Sequence, residues 1–157
     1  MLVAKDHVRL NLSPSMSIGL WWITSASELR TGDVVMACLP GDAGADAKRK
    51  GYIGAGECEG DRAPLLKPIM AVPGDVVVVT MDGIAINGDF VPGSAVMKGD
   101  TRERRMDILT IGKHLVAPNT FWLLATRDSR SFDSRYFGPL HVSTVRGIAH
   151  PLLTWDN

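Results

Sequence analysis

No stretch of this sequence approaches the roughly 20 apolar residues needed to cross a bilayer, and its start shows no secretory leader. Charge of one sign is also lacking, because 17 Lys and Arg balance 17 Asp and Glu for a formal net charge of +0. Bulk charge therefore points neither to nucleic acid nor to an anionic membrane. The four histidines, His7, His114, His141 and His150, show neither HxxxH nor HExxH spacing. No metal site is expected from them, and nothing else calls for a cofactor. A GxSxG elbow is absent, which argues against an α/β-hydrolase. Neither GxxxxGK[ST] nor GxGxxG occurs, so nucleotide chemistry has no support. Cysteine is scarce. Cys38 and Cys58 bracket a Gly- and Ala-rich loop containing Lys48-Arg49-Lys50. Two thiols without a histidine pair make a poor zinc site, which leaves two readings open: buried inert thiols, or a disulfide formed in an oxidising compartment.

The 157 residues suit one domain, residues 1–157, that can bury most of a single core. Helical periodicity is sparse, the best candidate being Asp42–Tyr52, with Gly51 placed to end it. Elsewhere strands and turns dominate. Asp33–Cys38, Leu65–Val72, Asp75–Thr80, Thr120–Ala125 and Ser143–Ala149 read as strands, and Gly83–Val91 as a hairpin around Asn87-Gly88, where both residues tolerate positive φ. Met1–Leu10 alternates charged and apolar residues and reads as a strand or arm. The Gly-Asp-Val-Val pattern occurs at Gly32–Val35 and Gly74–Val77, where glycine makes the turn and the carboxylate accepts backbone N–H groups. Thr101–Asp107 is dense in charge and reads as a solvated loop. The expected fold is mostly β, a coiled antiparallel sheet with one short helix.

Three segments remain. Asn11–Trp22 (NLSPSMSIGLWW) contains several serines. Leu65–Val77 (LLKPIMAVPGDVV) sets one lysine, Lys67, among apolar residues. Such a lysine commonly lies at an edge with its ammonium in water. If instead it is desolvated, its pKa falls, and the neutral amine can take a proton from a serine hydroxyl. Arg127–Leu140 (RDSRSFDSRYFGPL) reads on its own as a polar turn leading into an aromatic strand.

The string from Ser131 to Pro139 nevertheless resembles the last box of the signal peptidase I family, in the form typical of its conjugative-transfer, TraF-type branch. Other boxes follow in order. Ser15-Met16 is similar to the nucleophile box, and Asn11–Ser15 followed by Gly19-Leu20 to the longer TraF-type pattern. Gly32–Val35 resembles the second box and Lys67–Asp75 the lysine box. The resemblance spans residues 11–139. Ser17 departs from it where the family usually has proline, which would stiffen the turn. Trp21 departs from it where tyrosine is common. The opening around Asp128 lacks the Gly-Asp-Asn of housekeeping signal peptidases, favouring the conjugative branch.

That resemblance implies a signal-peptidase or LexA-like fold and a serine endopeptidase with a Ser15/Lys67 dyad acting through an acyl-enzyme. It implies the Ser15 backbone N–H and the Ser13 hydroxyl as oxyanion donors. Ser131 would orient the lysine, an Asp133–Arg135 pair would brace the site, and Asp33, Gly74 and Asp75 would serve in turns. The expected substrate is a membrane-tethered precursor, a pilin or another conjugation protein, met at the periplasmic side of the bacterial inner membrane, with no nucleic-acid partner. A periplasmic site favours the Cys38–Cys58 disulfide. Family members usually carry an anchor just before the nucleophile segment; none is present in this chain, which starts almost where one would end. Ile18, Leu20, Trp21 and Trp22 read either as an interfacial anchor or as core residues of a strand. The alternatives are a LexA/UmuD-like self-cleaving protein, for which no DNA-binding segment is evident, and an inactive scaffold of the conjugation apparatus.

Overall fold

The structure, a computed structural model, describes residues 7–109 and 111–155. The arm expected over Met1–Leu10 lies partly outside these residues. Its described part enters β1 (Val8–Asn11), which pairs antiparallel with β2 (Gly19–Thr24), from Val8↔Trp22 to Asn11↔Gly19. Ser15 therefore sits in the connection between these two strands. Gly19 allows β11 to approach: a Cβ there would lie 2.2 Å from the Leu153 carbonyl oxygen, and its φ of +145° also favours glycine.

Strand β3 (Val34–Ala37) follows the Gly32-Asp33 turn. Helix α1 spans Gly41–Lys50, ending two residues earlier than expected because Gly51 adopts a left-handed conformation and donates its N–H to the Ala47 and Lys48 carbonyls. Asp42 lies in its first turn and Lys48, Arg49 and Lys50 in its last, both favourable to the helix dipole. Strand β4 (Leu65–Ala71) alternates strictly, with Leu65, Lys67, Ile69 and Ala71 inward. Strands β5 (Val76–Val79), β6 (Ile84–Ile86) and β7 (Asp89–Val91) include the expected hairpin, with positive φ at Asn87 and Gly88. Strand β8 (Gly112–Leu115) has a weak apolar pattern and was not anticipated, whereas β9 (Thr120–Leu123) was. The segment after Arg127 does not form an aromatic strand. Its Asp133 side chain accepts the Arg135 N–H and caps a one-turn helix, α2 (Ser134–Phe137). Strand β10 (Leu140–His141) and the long β11 (Val145–Thr154) complete the chain.

Among the described residues the strands form two antiparallel sheets. One has the order β1-β2-β11-β3-β4-β9-β10 and the other β7-β6-β5-β8. The fold is mostly β, as expected. The main core gathers Val35, Leu39, Leu65, Ile69, Phe121 and Leu123, and a second packs Val77, Val79, Ile84 and Trp122 under the smaller sheet. The β2 residues divide by face, as pleating requires. Trp21 and Ile23 are buried, while Leu20 and Trp22 are half-buried on the other side.

Candidate active site

The Ser15 turn is held by its own first residue. Asn11 Nδ2 donates to the Ser13 and Ser17 carbonyls, both at 3.0 Å, and its Oδ1 accepts the Ser13 N–H. Trp21 Nε1 donates to the same Ser17 carbonyl at 3.0 Å. These bonds supply the rigidity that proline would have given at position 17. The Ser17 hydroxyl is free of ring constraint and accepts from an Arg127 guanidinium N–H at 3.2 Å.

Lys67 reaches the turn from β4, whose partner β3 sets Val35 beside it. Lys67 Nζ lies 2.8 Å from Ser15 Oγ and 2.6 Å from Ser131 Oγ, and Ser13 Oγ lies 2.9 Å from Ser15 Oγ. Ser15, Lys67 and Ser131 are all buried, at 4–5% exposure. Burial lowers the Lys67 pKa to about 8. The charges of Asp133 and Asp128 oppose that shift, and the Arg135 charge adds to it. As an ammonium, Lys67 donates to both hydroxyls; as an amine, it can accept a proton from one of them.

Ser131 is fixed by backbone bonds. Its N–H donates to the Asp128 carbonyl and its own carbonyl accepts from Arg135 at 3.1 Å. Arg135 forms a two-pronged pair with Asp133, Nε to Oδ1 and Nη2 to Oδ2, both 2.8 Å. Both residues are fully buried, so each charge depends on the other. The remaining Arg135 donors bind the Ala95 and Ala125 carbonyls, and Asp133 also accepts the Ala125 N–H. The pair thus ties α2 to the chain after β9.

Ser15 and Lys67 open onto a cleft of about 610 Å³ between the β1–β2 turn and the segment around Ile53–Glu57, with Met36 and Leu66 among its lining residues. A Cys38–Cys58 disulfide fastens that segment to the end of β3, so both cysteines belong to the cleft's support. Arg62 is buried in the same loop and donates to the Gly41 and Glu59 carbonyls. Arg9 on β1 forms a two-pronged ion pair with Glu57 (Nη2 to Oε2, 2.9 Å), joining the two walls.

The structure thus brings together Ser13, Ser15, Lys67 and Ser131, with Asp133 and Arg135 behind them. Asp33 and Asp75 are used elsewhere: their carboxylates accept the Arg30 and Val72 N–H groups, closing turns. Arg9, Glu57 and Tyr52, which also line the cleft, had no role from the sequence, and Asn11 entered only as the first residue of the TraF-type pattern. For Asn11 a signal existed, since an Asn that begins a serine-rich turn commonly bonds to nearby backbone. The wall residues carried none, because they meet only through the fold.

A sequence model of the signal peptidase family, peptidase S26, matches residues 2–154, and the chain belongs to this family of serine peptidases. It is similar to three proteins of conjugation. The plasmid transfer protein TraF of Escherichia coli is 35% identical over 149 residues, 94% of this chain and 83% of that protein. The conjugal transfer protein TraF of Agrobacterium fabrum is 37% identical over 150 residues, with the same shares. The probable conjugal transfer protein TraF of Sinorhizobium fredii is 38% identical over 151 residues, 94% of this chain and 77% of that protein. Among solved structures, a signal peptidase I from Enterococcus faecalis aligns with a TM-score of 0.43 and 18% identity, over 79% of this chain and 98% of that one.

Proposed function

We propose that this chain is a peptidase of conjugation that cleaves a membrane-tethered precursor, a pilin or another transfer protein, with Ser15 as nucleophile and Lys67 as general base. The observation that carries the reading is the 2.8 Å contact between a buried serine hydroxyl and a lysine amine whose charged form is disfavoured. Lys67 takes the Ser15 proton as Oγ bonds to the scissile carbonyl carbon. The Ser13 hydroxyl and the Ser15 N–H stabilise the oxyanion. Collapse breaks the C–N bond, and the leaving amine takes the proton from Lys67, leaving an acyl-enzyme. Neutral Lys67 then takes a proton from a water that attacks the acyl carbonyl, and collapse breaks the C–Oγ bond, releases the acid and returns that proton from Lys67 to Ser15 Oγ. Ser131 orients Lys67, and the Asp133–Arg135 pair braces Ser131.

The names of the TraF relatives support conjugation as the setting. The disulfide supports an oxidising compartment, the periplasmic side of the inner membrane. Exposed Leu10 and Leu153 each pair with Leu20, making an apolar strip beside the Ser15 turn that suits a membrane surface.

The test is processing of a candidate prepilin in membranes by wild type, Ser15→Ala and Lys67→Ala. Both variants should keep their fold by circular dichroism and lose processing by at least 10³-fold. Unchanged processing in either would sink the reading and return the scaffold alternative.

A further inference from the structure

A second cavity of about 280 Å³ lies behind the cleft wall, bounded by Tyr52, Met97, Met106, Phe132 and Tyr136, with Asp100 beside them. Tyr52, Arg130 and Phe132 line both this cavity and the cleft that holds Ser15. The two spaces therefore share a wall, and Phe132 within it directly follows the Ser131 that contacts Lys67.

Most of the cavity's inner polar groups are engaged, while the exposed Arg130 and Thr101 also line it. Tyr52 donates its hydroxyl to Asp100 at 2.8 Å, and Arg104 Nε donates to the same carboxylate at 2.6 Å. Arg104 also lies over the Tyr52 ring, 5.5 Å from its centre. The Tyr136 hydroxyl accepts the Met97 N–H at 3.1 Å. The rest of the lining that faces an occupant is three aromatic rings and two thioethers. Phe132 stacks on Tyr136 at 5.9 Å and tilts against Tyr52 at 5.0 Å. Such a lining attracts large apolar, aromatic or sulfur-containing side chains.

We propose that this cavity is a specificity subsite that takes one large apolar side chain of the precursor strand lying in the cleft. The proposal rests on the peptidase reading, since the occupant belongs to the same bound peptide. The shared wall carries the argument: a strand passing Arg130 and Phe132 delivers a side chain over the partition.

The test uses a precursor-derived peptide in which a phenylalanine is moved stepwise through an alanine background. Binding to the Ser15→Ala protein is measured by titration calorimetry, and cleavage by wild type is measured separately. Thr101 is exposed and lines the cavity, so Thr101→Trp blocks it without entering the catalytic residues. Met97→Trp blocks it from the other side. At one position phenylalanine should bind about tenfold more tightly than alanine. Both blocked variants should abolish that preference while binding the all-alanine peptide as before, and in the wild-type background the effect should appear in KM. A preference that survives both blocks, or no preference at any position, overturns the proposal. A preference that is abolished by the blocks while no peptide is cleaved would keep the subsite and remove the peptidase reading.

Discussion

Lys67 occupies a place on β4 that pleating reserves for core residues, between inward Leu65 and Ile69. Its reduced pKa therefore costs stability in a way that pH can reveal. The unfolded pKa is near 10.5 and the folded one about 8. Below pH 8 both states carry the proton and the burial penalty applies in full. Between 8 and 10.5 the unfolded chain binds more protons, so raising pH stabilises the native state. Thermal melts of wild type should gain on Lys67→Met as pH rises from 7 to 9.5, and parallel pH profiles would contradict a desolvated lysine. Activity should rise over the same range, with a midpoint near 8. The apolar run Leu65–Val72 was legible as a strand, but it did not set the lysine inward: both faces of the run are apolar, and an edge lysine with its ammonium in water fitted it equally. The lysine's reach to Ser15 was not legible either, because a side chain's partner 52 residues away depends on sheet order. Ser131 and the Asp133–Arg135 pair were legible only through resemblance, since their charges alone suit a surface turn.

At the scale of elements, sequence reading succeeded where turn chemistry brackets a strand. The Asn87-Gly88 hairpin and the two Gly-Asp turns are local devices, decided by residues in contact along the chain. Strand β8 (GKHL) has one apolar side chain in four residues and owes its form to pairing with β5. Helix α2 was missed because four residues are too few to show a period; its cap, Asp133, is also half of the buried ion pair. The loop from α1 to β4 depends on the disulfide. Closing a loop of this size stabilises by about 3 kcal/mol. Reduction, or Cys38→Ser with Cys58→Ser, should lower the denaturation free energy by roughly that amount. KM should then rise more than kcat falls, because one cleft wall loosens while Ser15 and Lys67 keep their own strands. Peptide kinetics and urea denaturation with and without reductant would check both; equal KM in the two states would detach the loop from substrate binding.

For the whole molecule, the balanced charge of +0 supplies no net attraction to anionic lipid. On the membrane-surface reading proposed above, affinity should come mainly from apolar surface, and Leu10, Leu12, Leu152, Leu153 and Trp155 are all exposed. Co-sedimentation with phosphatidylcholine vesicles should fall at least fivefold in Leu10→Asp with Leu153→Asp. It should change little when phosphatidylglycerol is added or salt is raised. Strong dependence on anionic lipid would instead assign the interaction to charge.

The sheet order has a consequence for how the protein comes into being. Ser15 belongs to the β1–β2 hairpin and Lys67 to the β3–β4 pair, and in the large sheet only β11 stands between β2 and β3. That strand, Val145–Thr154, comes after every other strand among the described residues. A nascent chain already carries both groups on the ribosome, but not the strand that seats them side by side. Seating Ser15 beside Lys67 therefore waits for β11, and on the function proposed above no precursor could be cleaved before that strand has joined the sheet.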